Sequence, residues 1–125
     1  MKKVLWIGLA GALGALLRTM IGQVVHDEYG FPIATFTVNI IGTFLLCFLV
    51  AGMVRKLSTK KDVQEAITTG FLGSFTTFSA LSVETVLLVE NEQVLLALMY
   101  VGLSILFGLG AGLLGFHFGR KKVAA

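Results

Sequence analysis

Asn39 lies in a long uncharged stretch, with Thr35 one turn before it and Thr43 one turn after. On a helix that spacing puts all three on one face. Tyr100 and Ser104 repeat the device further along, followed one turn later by Gly108. Each polar group costs free energy in hydrocarbon, so the two columns ask for an explanation. About half of such hydroxyls bond back to their own helix. The central Asn39 and the Tyr100–Ser104 column read instead as a line of uncharged hydrogen-bond donors.

A second cluster, Gly70-Phe71-Leu72-Gly73-Ser74-Phe75-Thr76-Thr77-Phe78-Ser79-Ala80-Leu81, crowds glycine, serine and threonine into an apolar segment. These residues weaken a helix relative to alanine or leucine. A broken helix at membrane depth is tolerated only where protein or a water-lined cavity satisfies the freed backbone groups. Unwound carbonyls then become ion ligands. Gly70 and Gly73 bring conformational freedom, and Thr76 and Thr77 bring hydroxyls to replace lost bonds. The cluster predicts a cation-coordinating break. Arg18 lies about 21 Å along its segment from Val4 at 1.5 Å per residue. It either snorkels to the outer interface or stands as a fixed positive charge drawing anions toward a vestibule. Glu84, near the end of the third stretch, calls for a partner.

Other chemistries find no support. The single cysteine, Cys47, permits no intrachain disulfide and reads as a small buried apolar residue. His26 and His117 lack ligand-like neighbours at helical spacing, so no metal cluster is expected from them. No nucleophile–base constellation is visible, and an enzyme is not expected.

The elements that must position these residues are membrane helices. Of the 125 residues, 56% are hydrophobic and 14% charged, with a mean hydropathy of +0.90; soluble domains average about 25% charged. The uncharged stretches are Val4–Leu17, continuing past Arg18 through Thr19–Val25, then Phe31–Val54, Ala66–Val83 and Val94–Gly119. A spanning helix needs roughly 20 apolar residues. Residues 1–125 therefore read as one all-α transmembrane domain of four helices, the third broken near mid-membrane. The start imitates a signal peptide, but the apolar run continues past the Ala10–Ala12 cleavage-like site and cleavage would leave an odd number of spans.

Nine of the ten basic residues lie at the two termini or between spans two and three, which four spans put on one side. The opposite loops carry His26-Asp27-Glu28 and Glu90-Asn91-Glu92. The positive-inside rule predicts cytoplasmic termini, and charge gathered at membrane boundaries is no footprint for nucleic acid. Trp6 and Tyr29 read as interface aromatics. Gly8, Gly11 and Gly14, and the Gly108/Gly112 and Gly115/Gly119 pairs, predict close helix packing. Four thin helices leave little interior, so a pathway is expected at an oligomer interface. A small multidrug-type proton-coupled exporter is the main rival. It needs a carboxylate in the first span, whose only ionisable group is Arg18. A non-transporting assembly subunit remains as a third alternative.

Three motifs resemble the Fluc (CrcB-type) fluoride channels. Gly11-Ala12-Leu13-Gly14-Ala15-Leu16-Leu17-Arg18 is similar to that family's first-helix signature, and Val38-Asn39-Ile40-Ile41-Gly42-Thr43-Phe44 to its asparagine motif. Gly70–Ser79 is similar to its third-helix break, the most specific of the three. The resemblance implies a fluoride-selective channel subunit in the plasma membrane of a prokaryote. It implies an antiparallel dimer with two pores along the interface, letting cytoplasmic fluoride leave passively. It implies a structural sodium ion at the dimer centre, held by the backbone oxygens of Gly73 and Thr76. Asn39, Thr43, Phe75, Phe78, Ser79, Tyr100, Ser104 and Arg18 would line the pore or bind the anion. Donors such as these replace the hydration of fluoride without trapping it, and phenylalanine edges add partial positive charge.

The chain departs from the family pattern at Ala80 and Leu81, where a threonine and a second pore phenylalanine are usual, at Thr19 in place of an aromatic, and at Gly108, where a serine can stand. The charge count adds that a subunit so biased should insert one way only. An antiparallel assembly then needs a related second chain of opposite bias, and the pore built with Leu81 would be the weaker. A non-conducting partner subunit of such a heterodimer is the remaining alternative.

Overall fold

The computed structural model describes residues 2–25 and 30–124. The described residues contain helices and no strand. Four helices are long and apolar enough to cross a membrane: Lys2–Val24, Ile33–Leu57, Lys61–Glu90 and Val94–Ala124, here the first to fourth spans. The acidic loop His26-Asp27-Glu28 and Tyr29 lie outside the described residues.

The first span packs chiefly on the third, and the second on the fourth. Glycine sets both approaches, because apolar helices in lipid associate through close backbone contact. A Cβ on Gly115 or Gly119 would stand 2.5 Å from the carbonyl oxygen of Phe44 or Phe48, and one on Gly70 would stand 2.6 Å from the Ile7 carbonyl oxygen. Gly14 fits as tightly against the Phe71 carbonyl. Gly8 and Gly108 face no atom within 4 Å, so the glycine repeats of the sequence are only partly used inside one subunit.

The second span carries a kink the sequence reading missed. Its backbone widens to π-helical geometry over Leu49–Met53, and Gly52 takes φ 131°, a conformation closed to other residues without strain. A Cβ there would come within 2.9 Å of Val123 at the end of the fourth span. The third span is also π-helical, over Ala66–Leu72, immediately before its interruption. Such widened turns gather at functional sites.

At the turn into the fourth span, Leu88, Ala97 and the fully buried Tyr100 form a small core, joined by Phe31 and Phe36. Phe31 meets Tyr100 and Phe36 edge-on at 5.3 and 5.6 Å between ring centres, the arrangement the ring quadrupole favours. Elsewhere the large apolar side chains of the spans are widely exposed, as they are in helices solvated by lipid.

Candidate functional site

Gly73–Phe75 ends the first part of the third span, and the helix resumes as Ser79–Glu90. Between them Thr76 is extended, at φ −80° and ψ 154°. An α-helix bonds each N–H to the carbonyl four residues back, and here that ladder is rerouted residue by residue. The Thr77 N–H, which would serve the Gly73 carbonyl, donates instead to Asn39 Oδ1 at 2.7 Å. The Ala80 N–H, which would serve Thr76, donates to the Thr77 hydroxyl at 3.1 Å. The Ser74 carbonyl accepts from Arg18 Nε at 3.2 Å, and the Thr77 carbonyl from Asn39 Nδ2 at 2.9 Å. The carbonyls of Gly73 and Thr76 are among those that lose their helical donors with no side-chain donor in their place among the described residues.

That exchange explains the residue types. Asparagine is the small side chain that donates and accepts at once, so one residue satisfies both backbone groups of Thr77. Arg18, on the first span, reaches the same loop from the other side. Sequence reasoning gave Asn39 to the anion, left Arg18 either snorkelling or drawing anions, and overlooked this backbone role. The signal available was the demand for partners that any break creates.

Below the break lies an open groove of about 510 Å³, lined by Asn39, Ile40, Thr43, Gly73, Thr76, Thr77, Phe78, Leu81, Ser104, Ile105 and Gly108. The structure therefore brings together Asn39, Thr43, Phe78, Ser104, Gly73 and Thr76 from three spans. Among the described residues, no charged side chain lines it. Phe78 is 79% exposed. The Ser104 hydroxyl is buried without a hydrogen-bond partner, which is uncommon enough to require one from elsewhere. Asn39 retains a second amide hydrogen, since only one goes to Thr77.

Other expected residues lie off the groove. Phe75 is 5% exposed, stacked on Phe71 at 6.0 Å and close to Gly42; within one subunit it packs the spans together. Ser79 is exposed and its hydroxyl meets that of Thr77 at 3.1 Å. Tyr100 is buried, its hydroxyl donating to Glu84 at 2.7 Å, while Thr35 donates to the other Glu84 oxygen at 2.6 Å. The partner that Glu84 called for is therefore a pair of neutral donors from the second and fourth spans. Within the third span Thr68, Thr76 and Ser82 bond back to carbonyls four residues earlier, the unremarkable role allotted to about half of its hydroxyls.

The chain that carries this break has known relatives. The family model described as "CrcB-like protein, Camphor Resistance (CrcB)" matches residues 5–116. The chain belongs to this CrcB-like family. A fluoride-specific ion channel, FluC 1, of Bacillus thuringiensis subsp. konkukian (strain 97-27) is 44% identical over 123 residues, covering 95% of this chain and 90% of that one. FluC 1 of Desulfitobacterium hafniense (strain Y51) is 44% identical over 108 residues, 86% of this chain and 95% of its own. FluC of Allorhizobium ampelinum (strain ATCC BAA-846 / DSM 112012 / S4) is 40% identical over 122 residues, 96% and 98% of the two chains. With four apolar helices, membership of the CrcB-like family makes this a multi-pass membrane protein.

Proposed function

We propose that the chain is a subunit of a fluoride-selective channel that lets fluoride leave the cell passively. The observation that carries the reading is the groove beside the break. It gathers an amide, hydroxyls and an exposed phenylalanine without a full charge. Fluoride holds its water tightly, and such donors replace hydration without a charge that would trap the ion. HF enters as a neutral acid and ionises at cytoplasmic pH. The inside-negative potential, about 2.3 kcal/mol per charge per 100 mV, drives the anion out. Transport of this kind needs no catalysis, and the relatives named as fluoride channels favour it over an enzyme. The absence of Asp and Glu from the first span disfavours the proton-coupled exporter.

The groove is open along one side, which favours a second subunit closing it into a pore. Asn39, Thr43, Phe78 and Ser104 would meet the anion there, with Ser79 extending the track, Tyr100 buried behind it on Glu84, and Arg18 and Phe75 bracing the break. The released Gly73 and Thr76 carbonyls suit a sodium ion shared by two antiparallel subunits, since a hard cation takes uncharged oxygen ligands. Sodium there would fix the breaks against each other.

Nine basic residues on one side favour cytoplasmic termini in a bacterial plasma membrane. The same bias favours a related, oppositely inserted partner chain over a homodimer, with homodimers forming where detergent removes the constraint. Leu81, which lines the groove, would then leave the weaker of two pores without its second aromatic.

Purified chain in liposomes, alone and with such a partner, tests the reading through fluoride-electrode efflux. Fluoride should leave while chloride is retained. Equal efflux of both ions, or none from either assembly, overturns it. Terminal tags in intact cells test the topology: mixed orientation with fluoride resistance from the lone chain refutes the heterodimer.

A further inference from the structure

We infer that a groove between the first and third spans binds an anionic phospholipid, phosphatidylglycerol. The groove, about 600 Å³, shares no lining residue with the one beside the break. One wall is Trp6, Ala10 and Leu13, spaced to share a face of the first span; the other is Val63, Ile67 and Phe71, at successive turns of the third. Both walls are apolar, and Trp6 and Leu13 are each 58% exposed. At the mouth stand Lys2, Lys60 and Asp62.

Dimensions and charge select the occupant. From Lys2 to Leu13 the helix rises about 16 Å at 1.5 Å per residue, close to one leaflet, half of a hydrocarbon core about 30 Å thick. The polar mouth therefore lies at headgroup level, where Trp6 also belongs, when the apolar walls lie at acyl depth. Lys3, the neighbouring cation, is already paired with Glu65 at 2.6 Å across the two spans. No carboxylate among the described residues pairs with Lys2 or Lys60. Two free ammonium groups beside an acyl-lined slot match a lipid phosphate, as basic pockets between membrane helices do generally. Asp62 matches the hydroxyl groups of a glycerol headgroup, which donate hydrogen bonds to a carboxylate. The apolar groove between the second and third spans, walled by Leu45, Phe48 and Leu72, has no charged residue at its lining and carries no such selectivity. The inference needs only the membrane spans and is independent of the ion conducted.

Native mass spectrometry of the full chain in detergent tests it, with palmitoyl-oleoyl phosphatidylglycerol and the matching phosphatidylcholine titrated separately. The protein should retain the glycerol lipid about tenfold better, since each lysine near a lipid surface is worth roughly fivefold and Asp62 offsets part of that. Lys2→Gln with Lys60→Gln should abolish the preference, while Lys121→Gln with Lys122→Gln, removing as much charge elsewhere, should keep it. Ala10→Phe, filling the slot, should weaken both lipids. Equal retention of the two lipids, an equal loss in the Lys121/Lys122 variant, or lipid bound only by monomers because a second copy covers the groove would each overturn the inference. The lysine variants change exposed side chains and keep the test decisive if Ala10→Phe does not fold.

Discussion

Along the middle of the seam between the second and fourth spans, backbone meets backbone. Gly115 and Gly119 rest on the Phe44 and Phe48 carbonyls, while Gly112 faces the Cys47 and Thr43 side chains. At the interrupted stretch of the third span, side chains do the joining: Asn39 holds both backbone groups of Thr77, and Arg18 holds the Ser74 carbonyl. Up to Phe48, before the kink at Leu49–Met53, the seam has unbroken helices and needs only closeness. The break has surrendered helical bonds and needs polar replacements. The seam should accordingly answer to side-chain volume, and the break to side-chain polarity.

The largest effect is expected at the seam. Gly115→Val puts a branched side chain where even a Cβ would meet the Phe44 carbonyl oxygen at 2.5 Å. Overpacking costs about 1–3 kcal/mol, and more where backbone must move. The variant should lose most of its monodisperse peak in size-exclusion chromatography and its cooperative thermal transition. Gly108→Ala, with no atom within 4 Å to meet, should leave the subunit's transition unchanged. Equal damage from both would break the contrast.

Next comes Asn39→Leu, which changes little volume but strands the Thr77 N–H and carbonyl. A fully buried stranded partner costs about 1–3 kcal/mol, and these two are only part-buried, so the loss is smaller. Fluoride efflux from liposomes should fall at least tenfold while the chain still elutes as an assembled species. Wild-type efflux would show that the ion passes elsewhere and that the break tolerates unpaired groups.

What the sequence made legible follows the same division. Four spans could be read because hydropathy and charge act locally, and the break because glycine and hydroxyl residues are conspicuous in an apolar run. The Gly73 and Thr76 carbonyls came from the family resemblance alone; the rerouted bonds leave both without their helical donors but do not single them out. The side-chain supports were not legible: Arg18 and Asn39 are 56 and 38 residues from the atoms they bond, and nothing local announces such a contact. Phe75 was assigned to the pore by the same motif that holds Phe78, yet it turns inward against Phe71 while Phe78 is exposed. Gly52 gave no warning of the kink, since a lone glycine in a membrane helix is ordinary.

Arg18 sharpens the comparison because it has two candidate roles that salt separates. As a steering charge its benefit should vanish as ionic strength rises, since the Debye length shrinks to about 3 Å at 1 M. As a brace on the Ser74 carbonyl its benefit should persist. Arg18→Gln is expected to lower fluoride efflux severalfold at both low and high salt, with Arg18→Lys restoring part. A deficit confined to low salt would return Arg18 to the vestibule.

The smallest effect belongs to a turn outside both regions. The third span closes with the Gln93 N–H on the Leu88 carbonyl at 2.8 Å and the Glu92 N–H on the Val89 carbonyl at 3.1 Å, the bonding of a Schellman motif. That motif puts one residue in left-handed backbone, and here it is Glu92, at φ 61°. A left-handed residue with a Cβ costs about 1–2 kcal/mol, whereas glycine meets no such penalty. Glycine also loses more freedom on folding, which returns about 0.4–1 kcal/mol. Glu92→Gly should therefore stabilise the chain by about 0.5–1 kcal/mol, the difference between those two terms. The gain should appear as a small rise in the thermal midpoint in detergent. Efflux should not change, because both closing bonds come from backbone and the groove lies elsewhere in the subunit. A lowered midpoint would mean that the exposed Glu92 carboxylate contributes more to folding than its backbone strain removes.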